Sequence, residues 1–176
     1  LNVDTLYSRR DIRLQAAGSI LDAFDSDDTN IRARSLMLTA MAAIGEASNY
    51  LDIGLDTRLD DTPDDEPDGW LFSSSGTGTF IRSASQPLVA RAIDAGTEAR
   101  LQGGAGITVD GALTSTTGID IATGGALALT GRASLAPSAG PVALSGDRIV
   151  TEAGSSIEPG NGRLDLVAGS GGAELG

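Results

Sequence analysis

The chain has 176 residues, 24 of them Gly, with no Cys and no His; its twelve basic residues are all Arg, and its formal charge is −12. These absences exclude a disulfide framework, a thiolate or imidazole metal site, the serine–histidine triad, and Schiff-base or P-loop chemistry that needs Lys. The acidic balance argues against nucleic acid and anionic membrane surfaces as partners, while 40% hydrophobic residues are too many for a disordered chain, so Gly-rich repetition is the architecture to test first.

The chain opens on Leu1-Asn2-Val3, without the basic-then-apolar pattern of a signal peptide, and no apolar run is long enough to span a bilayer. Both ends are expected to be cuts through a longer chain. Alternation begins at Ile12-Arg13-Leu14 and returns at Leu36-Met37-Leu38, each a short strand with one buried face. Residues 35–47 also have local helix propensity through Leu36, Met37, Ala40, Met41 and Ala43. The match of Leu36/Leu38/Ile44 to Ile12/Leu14/Ile20 favours the strand.

Residues 56–68 hold seven acids in thirteen positions, with Pro63 and Pro67. Two prolines exclude a helix and a central strand, so residues 56–69 are expected to bulge from the fold as an acidic loop insertion, between coils at 1–55 and coils at 70–176. Trp70 and Phe72 are expected to return the chain to the core. Downstream, Ile81, Leu101, Ile119-Asp120-Ile121, Val142-Ala143-Leu144 and Leu164-Asp165-Leu166 continue the alternation.

A period is visible directly in the second half. Ala133 to Gly140 aligns with Ser155 to Gly162 at an offset of 22, and Gly118, Gly140 and Gly162 share that spacing. Branched apolar residues also recur six positions apart, as Leu14/Ile20, Leu38/Ile44, Leu101/Ile107, Ile121/Leu127 and Leu144/Val150. Two or three short strands per unit, separated by Gly and small polar turn residues, fit one coil of a parallel β-helix. The predicted fold is therefore all-β, a right-handed parallel β-helix of about 22 residues per coil. Eight coils, about 4.8 Å apart, would make a rod of roughly 40 Å. Leu14, Leu38, Leu101, Ile121, Leu144 and Leu166 are predicted to stack in one inward column, with Arg13, Arg100, Asp120 and Asp165 facing water. An antiparallel sandwich is the alternative, but it needs hairpin signals such as Asn-Gly, and Asn161-Gly162 is the sole dipeptide of that kind.

These residues resemble a family. The segment from Asp11 to Ala23, the segment from Ser35 through Ile44-Gly45 to Ile53, and Gly125-Ala126-Leu127-Ala128-Leu129 are similar to recurring units of giant filamentous-haemagglutinin-like bacterial exoproteins. The resemblance covers most of the chain outside residues 56–80. It implies a right-handed parallel β-helix, an extracellular or outer-surface location, and a non-enzymatic role as an adhesive or structural shaft. Expected partners are surface glycans or proteins of a host or neighbouring cell, and flanking coils of the same polypeptide.

Calcium is the metal candidate, because hard cations want several convergent oxygens. Asp64, Glu66 and Asp68, followed by Gly69, offer acids on alternate residues. An EF-hand would need Glu where Ser75 stands, and a solvated acidic loop is the competing reading. Asp25-Ser26-Asp27-Asp28 is a second acidic cluster. The enzyme alternative is a carbohydrate-active β-helix, a polysaccharide lyase or glycoside hydrolase using paired carboxylates. Asp120 and Asp165 are two units apart with Ala143 between them, and Arg100 and Arg148 have no partner evident from spacing. Acids plus Arg in one groove across two or three coils would favour that alternative. Thr114-Ser115-Thr116-Thr117 does not repeat as an ice-binding Thr array would. Trp70, Phe72 and Phe80 are a sugar-stacking platform or, more simply, a core plug.

Overall fold

The computed structural model describes residues 1–24, 28–55 and 69–176. The acidic segment at 56–68, with Asp64, Glu66 and Asp68, lies outside the described residues, as do Asp25 and Asp27. The strands are β1 (Asn2–Val3), β2 (Leu6–Tyr7), β3 (Ile12–Ala16), β4 (Leu21–Asp22), β5 (Ile31–Ala33), β6 (Leu36–Ala40), β7 (Leu51–Leu55), β8 (Trp70–Ser75) and β9 (Thr79–Ser83). They continue as β10 (Leu88–Ala95), β11 (Glu98–Gly103), β12 (Gly106–Ser115), β13 (Gly118–Thr123), β14 (Ala126–Leu129), β15 (Ser134–Pro137), β16 (Val142–Thr151), β17 (Ser156–Ile157) and β18 (Leu164–Leu175). Residues 36–40 are strand; tertiary stacking overrides their helix propensity.

Every strand pairing among the described residues is parallel. Partners are never consecutive in the chain: β10 lies between β8 and β12, and β11 lies between β9 and β13. A chain that pairs each strand with one a full turn away climbs as a solenoid. The fold is an all-β parallel β-solenoid of about seven turns, with about 22 residues per turn, one turn fewer than the sequence period suggests.

The inward residues form stacked columns, and here the single predicted column divides in two. Leu14 and Leu38 stand in register with each other, and that column continues through Ser73, Ile93, Leu113, Leu135 and Ile157. Leu101, Ile121, Leu144 and Leu166 belong to a different column, which starts at Leu51 and Ile81. The two lie on different walls of the coil. A third column runs Leu88, Ile107, Leu127 and Ile149. Ile149, not Val150, is its member, because the corner takes three residues from Ser145 to Arg148 where the preceding coil takes four from Ala122 to Ala126. Trp70 and Phe72 do not plug the core either. Leu71 between them is fully buried, while the two rings meet edge to face outside it, centroids 4.8 Å apart.

Stacking at this spacing leaves little room at the corners. A Cβ on Gly140 would stand 1.4 Å from the carbonyl oxygen of Thr117 on the neighbouring coil. Gly162, one period later, has open space but a φ of +73°, a conformation that L side chains rarely adopt. The two glycines share a spacing for different physical reasons.

Each inward residue is enclosed by the coils on either side, so its energetic weight depends on its position along the rod. Leu101→Ala should cost about 2–5 kcal/mol, the usual range for a core leucine, because Leu101 is 1% exposed between Ile81 and Ile121. Leu166→Ala, on the last coil, should cost well under half as much. Urea unfolding of both variants checks this, and equal losses would contradict a stacked core.

Candidate functional site

Two surface features bring chemistry-bearing side chains together. The first begins with a buried polar chain near the start of the rod. Asn30 is held twice to the following coil: its backbone N–H donates to the Asp52 carbonyl at 2.9 Å, and its Oδ1 accepts from the Asp52 N–H at 2.8 Å. Its Nδ2 donates to Asp22 Oδ1 at 2.6 Å. The Asp52 carboxylate is almost completely buried and receives a two-pronged donation from Arg82, Nε to Oδ1 at 2.5 Å and Nη2 to Oδ2 at 2.7 Å. Two parallel N–H···O bonds from a planar fork give this pair a fixed geometry. Asp22 Oδ1 also accepts from the Phe24 N–H, whereas Asp22 Oδ2 is buried without a partner.

Arg82 stands in register with Asp52 on one side and Gln102 on the other, and the row continues to Ala122 and Ser145. Along it runs an open groove of about 390 Å³, floored by small residues such as Ala84, Gly104 and Gly124. Beyond Arg82 the walls bear no ionised side chain, so the groove has shape but no acid–base pair.

The second feature is the outward row two residues earlier on the same strands: Phe80, Arg100, Asp120, Ala143 and Asp165, one per coil. Strand alternation places them there, since Ile81, Leu101, Ile121, Leu144 and Leu166 beside them point inward. Ala143 separates Asp120 from Asp165, as the spacing indicated. The expectation that Arg100 lacks a partner is corrected: its guanidinium binds Glu98, with Nε and Nη2 each 2.8 Å from Oε1, and its carbon lies 5.9 Å from the centre of the Phe80 ring. Arg148 is paired as well, to Glu174 at 2.6 Å. Tyr50 packs edge-on to Phe80 at 6.1 Å, and a hollow of about 340 Å³ opens beside Phe80 and Glu98.

The electrostatics follow from these neighbours. The bond to Glu98 holds the Arg100 proton more tightly than usual, against the opposing effect of burial. Half-burial pushes the Asp120 carboxyl above its ordinary range, Arg100 pulls it part of the way back, and Glu98 pushes it up again. Chemically the row offers an acid of raised affinity for protons, a positive charge and an aromatic edge on two adjacent coils. Sequence reasoning missed it because Glu98 and Arg100 were not set against Asp120, one coil on, although their offset is within two residues of the 22-residue period.

The hydroxyls of Thr114-Ser115-Thr116-Thr117 are all used internally. They donate to Asp94, Gly118, Gly96 and Thr97 respectively, the three Thr tying one coil to the next and Ser115 bonding within its own coil, and they present no regular array. Among the described residues no group of three or more His, Cys, Asp or Glu side chains could hold a metal ion, and no helix is long and apolar enough to cross a membrane. No family model matches the chain, and no curated protein or solved structure is significantly similar to it.

Two variants test these assignments. Arg82→Gln leaves a buried carboxylate without its cation, which should cost about 3–5 kcal/mol, measured by thermal or urea unfolding. Asp120→Asn should act in the opposite direction. A carboxyl whose folded proton affinity is raised penalises the fold once it ionises, so the native chain loses stability as pH rises through the folded pKa and recovers it as pH falls below the unfolded value. The Asn variant should therefore match or exceed the parent at neutral pH by less than about 1 kcal/mol, given solvent screening. That margin should close on acidification, as melting curves at neutral and acidic pH would show.

Proposed function

We propose that this chain is a shaft segment of a large secreted or surface-displayed repeat protein, serving as a rigid spacer that presents contact surfaces to glycans or proteins of a neighbouring cell. The single observation behind this reading is the stacking of mostly apolar columns along parallel coils, which gives length and stiffness from a minimal cross-section. The similarity of residues 11–23 and 35–53 to filamentous-haemagglutinin-like exoproteins points the same way, as does the acidic, cysteine-free composition. An extracellular or bacterial outer-surface location belongs to this proposal.

A second reading has one observation in its favour. Glu98, Arg100 and Asp120 form a group of acids plus Arg on adjacent coils, the arrangement that a carbohydrate-active β-helix would require. Against it, Arg100 is already committed to Glu98, and Asp165 is kept apart by Ala143. One set of measurements separates the readings. Immobilised chain is exposed to glycan arrays and intact cells, and soluble chain is incubated with pectin, alginate and mixed glycans while new reducing ends and unsaturated products are followed. The shaft reading expects saturable surface binding or none, with no turnover. Turnover abolished by Asp120→Asn would replace it with the enzymatic reading.

A further inference from the structure

The wall formed by β6, β8 and β10 lies within the rod, with β3 paired to β6 on one side and β12 to β10 on the other. It carries two outward rows, two residues apart on each strand. One row is apolar: Met37, Phe72 and Ala92 stand in register on successive coils. The other is polar: Thr39, Ser74 and Asp94 stand in register beside it. Between the rows Leu38, Ser73 and Ile93 are buried, as strand alternation requires. An open hollow of about 270 Å³ lies over both rows. Phe72 is half-buried, and Trp70 is braced edge to face against its ring at 4.8 Å, so the aromatic surface is already fixed.

The polar row has hydrogen-bonding capacity in reserve. A carboxylate offers several lone-pair sites, and Thr114 uses one of those on Asp94, Oγ1 to Oδ1 at 2.9 Å. Ser74 and Asp94 are exposed and Thr39 is half-buried. The two hydroxyls, each able both to donate and to accept, open on the same hollow as Asp94. Along the rod the patch spans three coils, about 10 Å, and across the strands its rows lie about 7 Å apart. A short run of six-membered sugar rings has those dimensions.

The two rows together select among ligands. A lipid or an apolar peptide would cover Phe72 but strip water from Asp94 and two hydroxyls without replacing their bonds. An anion would meet Asp94, and among the described residues no basic side chain lines the hollow. A calcium ion needs about six or more oxygens, and the hollow offers one carboxylate. A neutral pyranose satisfies both rows: its C–H face covers Met37, Phe72 and Ala92, while its hydroxyls donate to Asp94 and exchange bonds with Thr39 and Ser74. We infer that this hollow binds a neutral glycan, with Phe72 as the stacking surface and Asp94 as the principal acceptor. The inference rests on the reading of the outer surface as a contact surface, and it supplies the place and the chemical class of one contact. Both rows sit on ladder strands, so little ordering is lost on binding.

Trp70 is the sole tryptophan of the chain, so its emission reports on the Phe72 ring beside it. The whole chain is titrated with maltotetraose, cellotetraose, mannotetraose and chitotetraose, and with tetragalacturonate as the anionic counterpart, by fluorescence and by calorimetry. At least one neutral tetrasaccharide should give a saturable change in emission, and tetragalacturonate should give none. Asp94→Ala should weaken that binding by about tenfold or more, since hydrogen bonds to a charged acceptor are lost. Ser74→Arg, which fills the hollow and places a cation beside Asp94, should abolish it. Both positions are exposed, circular dichroism verifies that each variant is folded, and either variant alone decides the question. Neutral tetrasaccharides that produce neither an emission change nor heat overturn the inference. So does binding that the folded variants retain, or tighter binding of tetragalacturonate. Cleavage of the bound tetrasaccharide would overturn the shaft reading and not this site, so the two fail separately.

Discussion

A coil of this fold cannot close its own core. Each inward side chain projects into a space about 4.8 Å deep and is enclosed only by its counterparts one turn before and one turn after. Everything else in the molecule follows from that dependence. It requires the strands to be parallel and in register, since one residue of slip would send every inward side chain to the solvent face. It requires small residues at the corners, where Gly140 leaves no space for a methyl group against Thr117. It also makes cohesion a property of neighbours, so each inward residue is held by the coils on either side of it.

Polar groups are admitted to the stack only where another coil can satisfy them. Asn30 replaces a side-chain contact with a pair of ladder bonds to Asp52, and Asp52 is neutralised by Arg82 from the following coil. Thr116 and Thr117 close the carbonyls of Gly96 and Thr97. Asp22 Oδ2 and the hydroxyls of Ser35 and Ser73 are the exceptions among the described residues, and Ser73 stands in the column between Leu38 and Ile93 with no partner for its oxygen. A buried hydroxyl left unpaired is unfavourable by about 1–3 kcal/mol. This coil is the one that follows the acidic segment at 56–68, where the sequence pattern is least regular.

The fold was legible because its signal is a period, and a period survives where individual residues vary. Leu135 and Ile157 stand in register at the offset of 22 read directly from the sequence. The assignment of columns was not legible, for a geometrical reason. Two different corners of the coil are crossed in six residues: Leu14 to Ile20 and Leu38 to Ile44 round one, Leu101 to Ile107 and Ile121 to Leu127 round the other. Both corners are followed by an inward residue two positions later, as in Ile119/Ile121 and Leu127/Leu129. Spacing alone cannot distinguish them, and the two walls merge into one predicted column. The outward row was hidden differently. Asp120, Ala143 and Asp165 were aligned from the sequence, but Arg100 and Asp120 are 20 residues apart, short of the period of 22, and only the ladder places Arg100 beside Asp120.

The same variation in coil length gives the outer surface its individuality. Corners absorb an added or missing residue by a bulge, as at Arg91 and Asp147, where the register shifts, without disturbing the columns on either side. Changes in length therefore accumulate at corners and changes in chemistry accumulate on outward rows, while the core tolerates little beyond exchange among Leu, Ile, Val and Ala. On this scaffold the inward residues specify that there is a rod, and the outward ones decide what it touches. Tyr50, Phe80, Glu98, Arg100 and Asp120 form one such coupled outward group. They lie midway along the rod, so contact along its side draws on outward residues alone and leaves the stacked columns undisturbed.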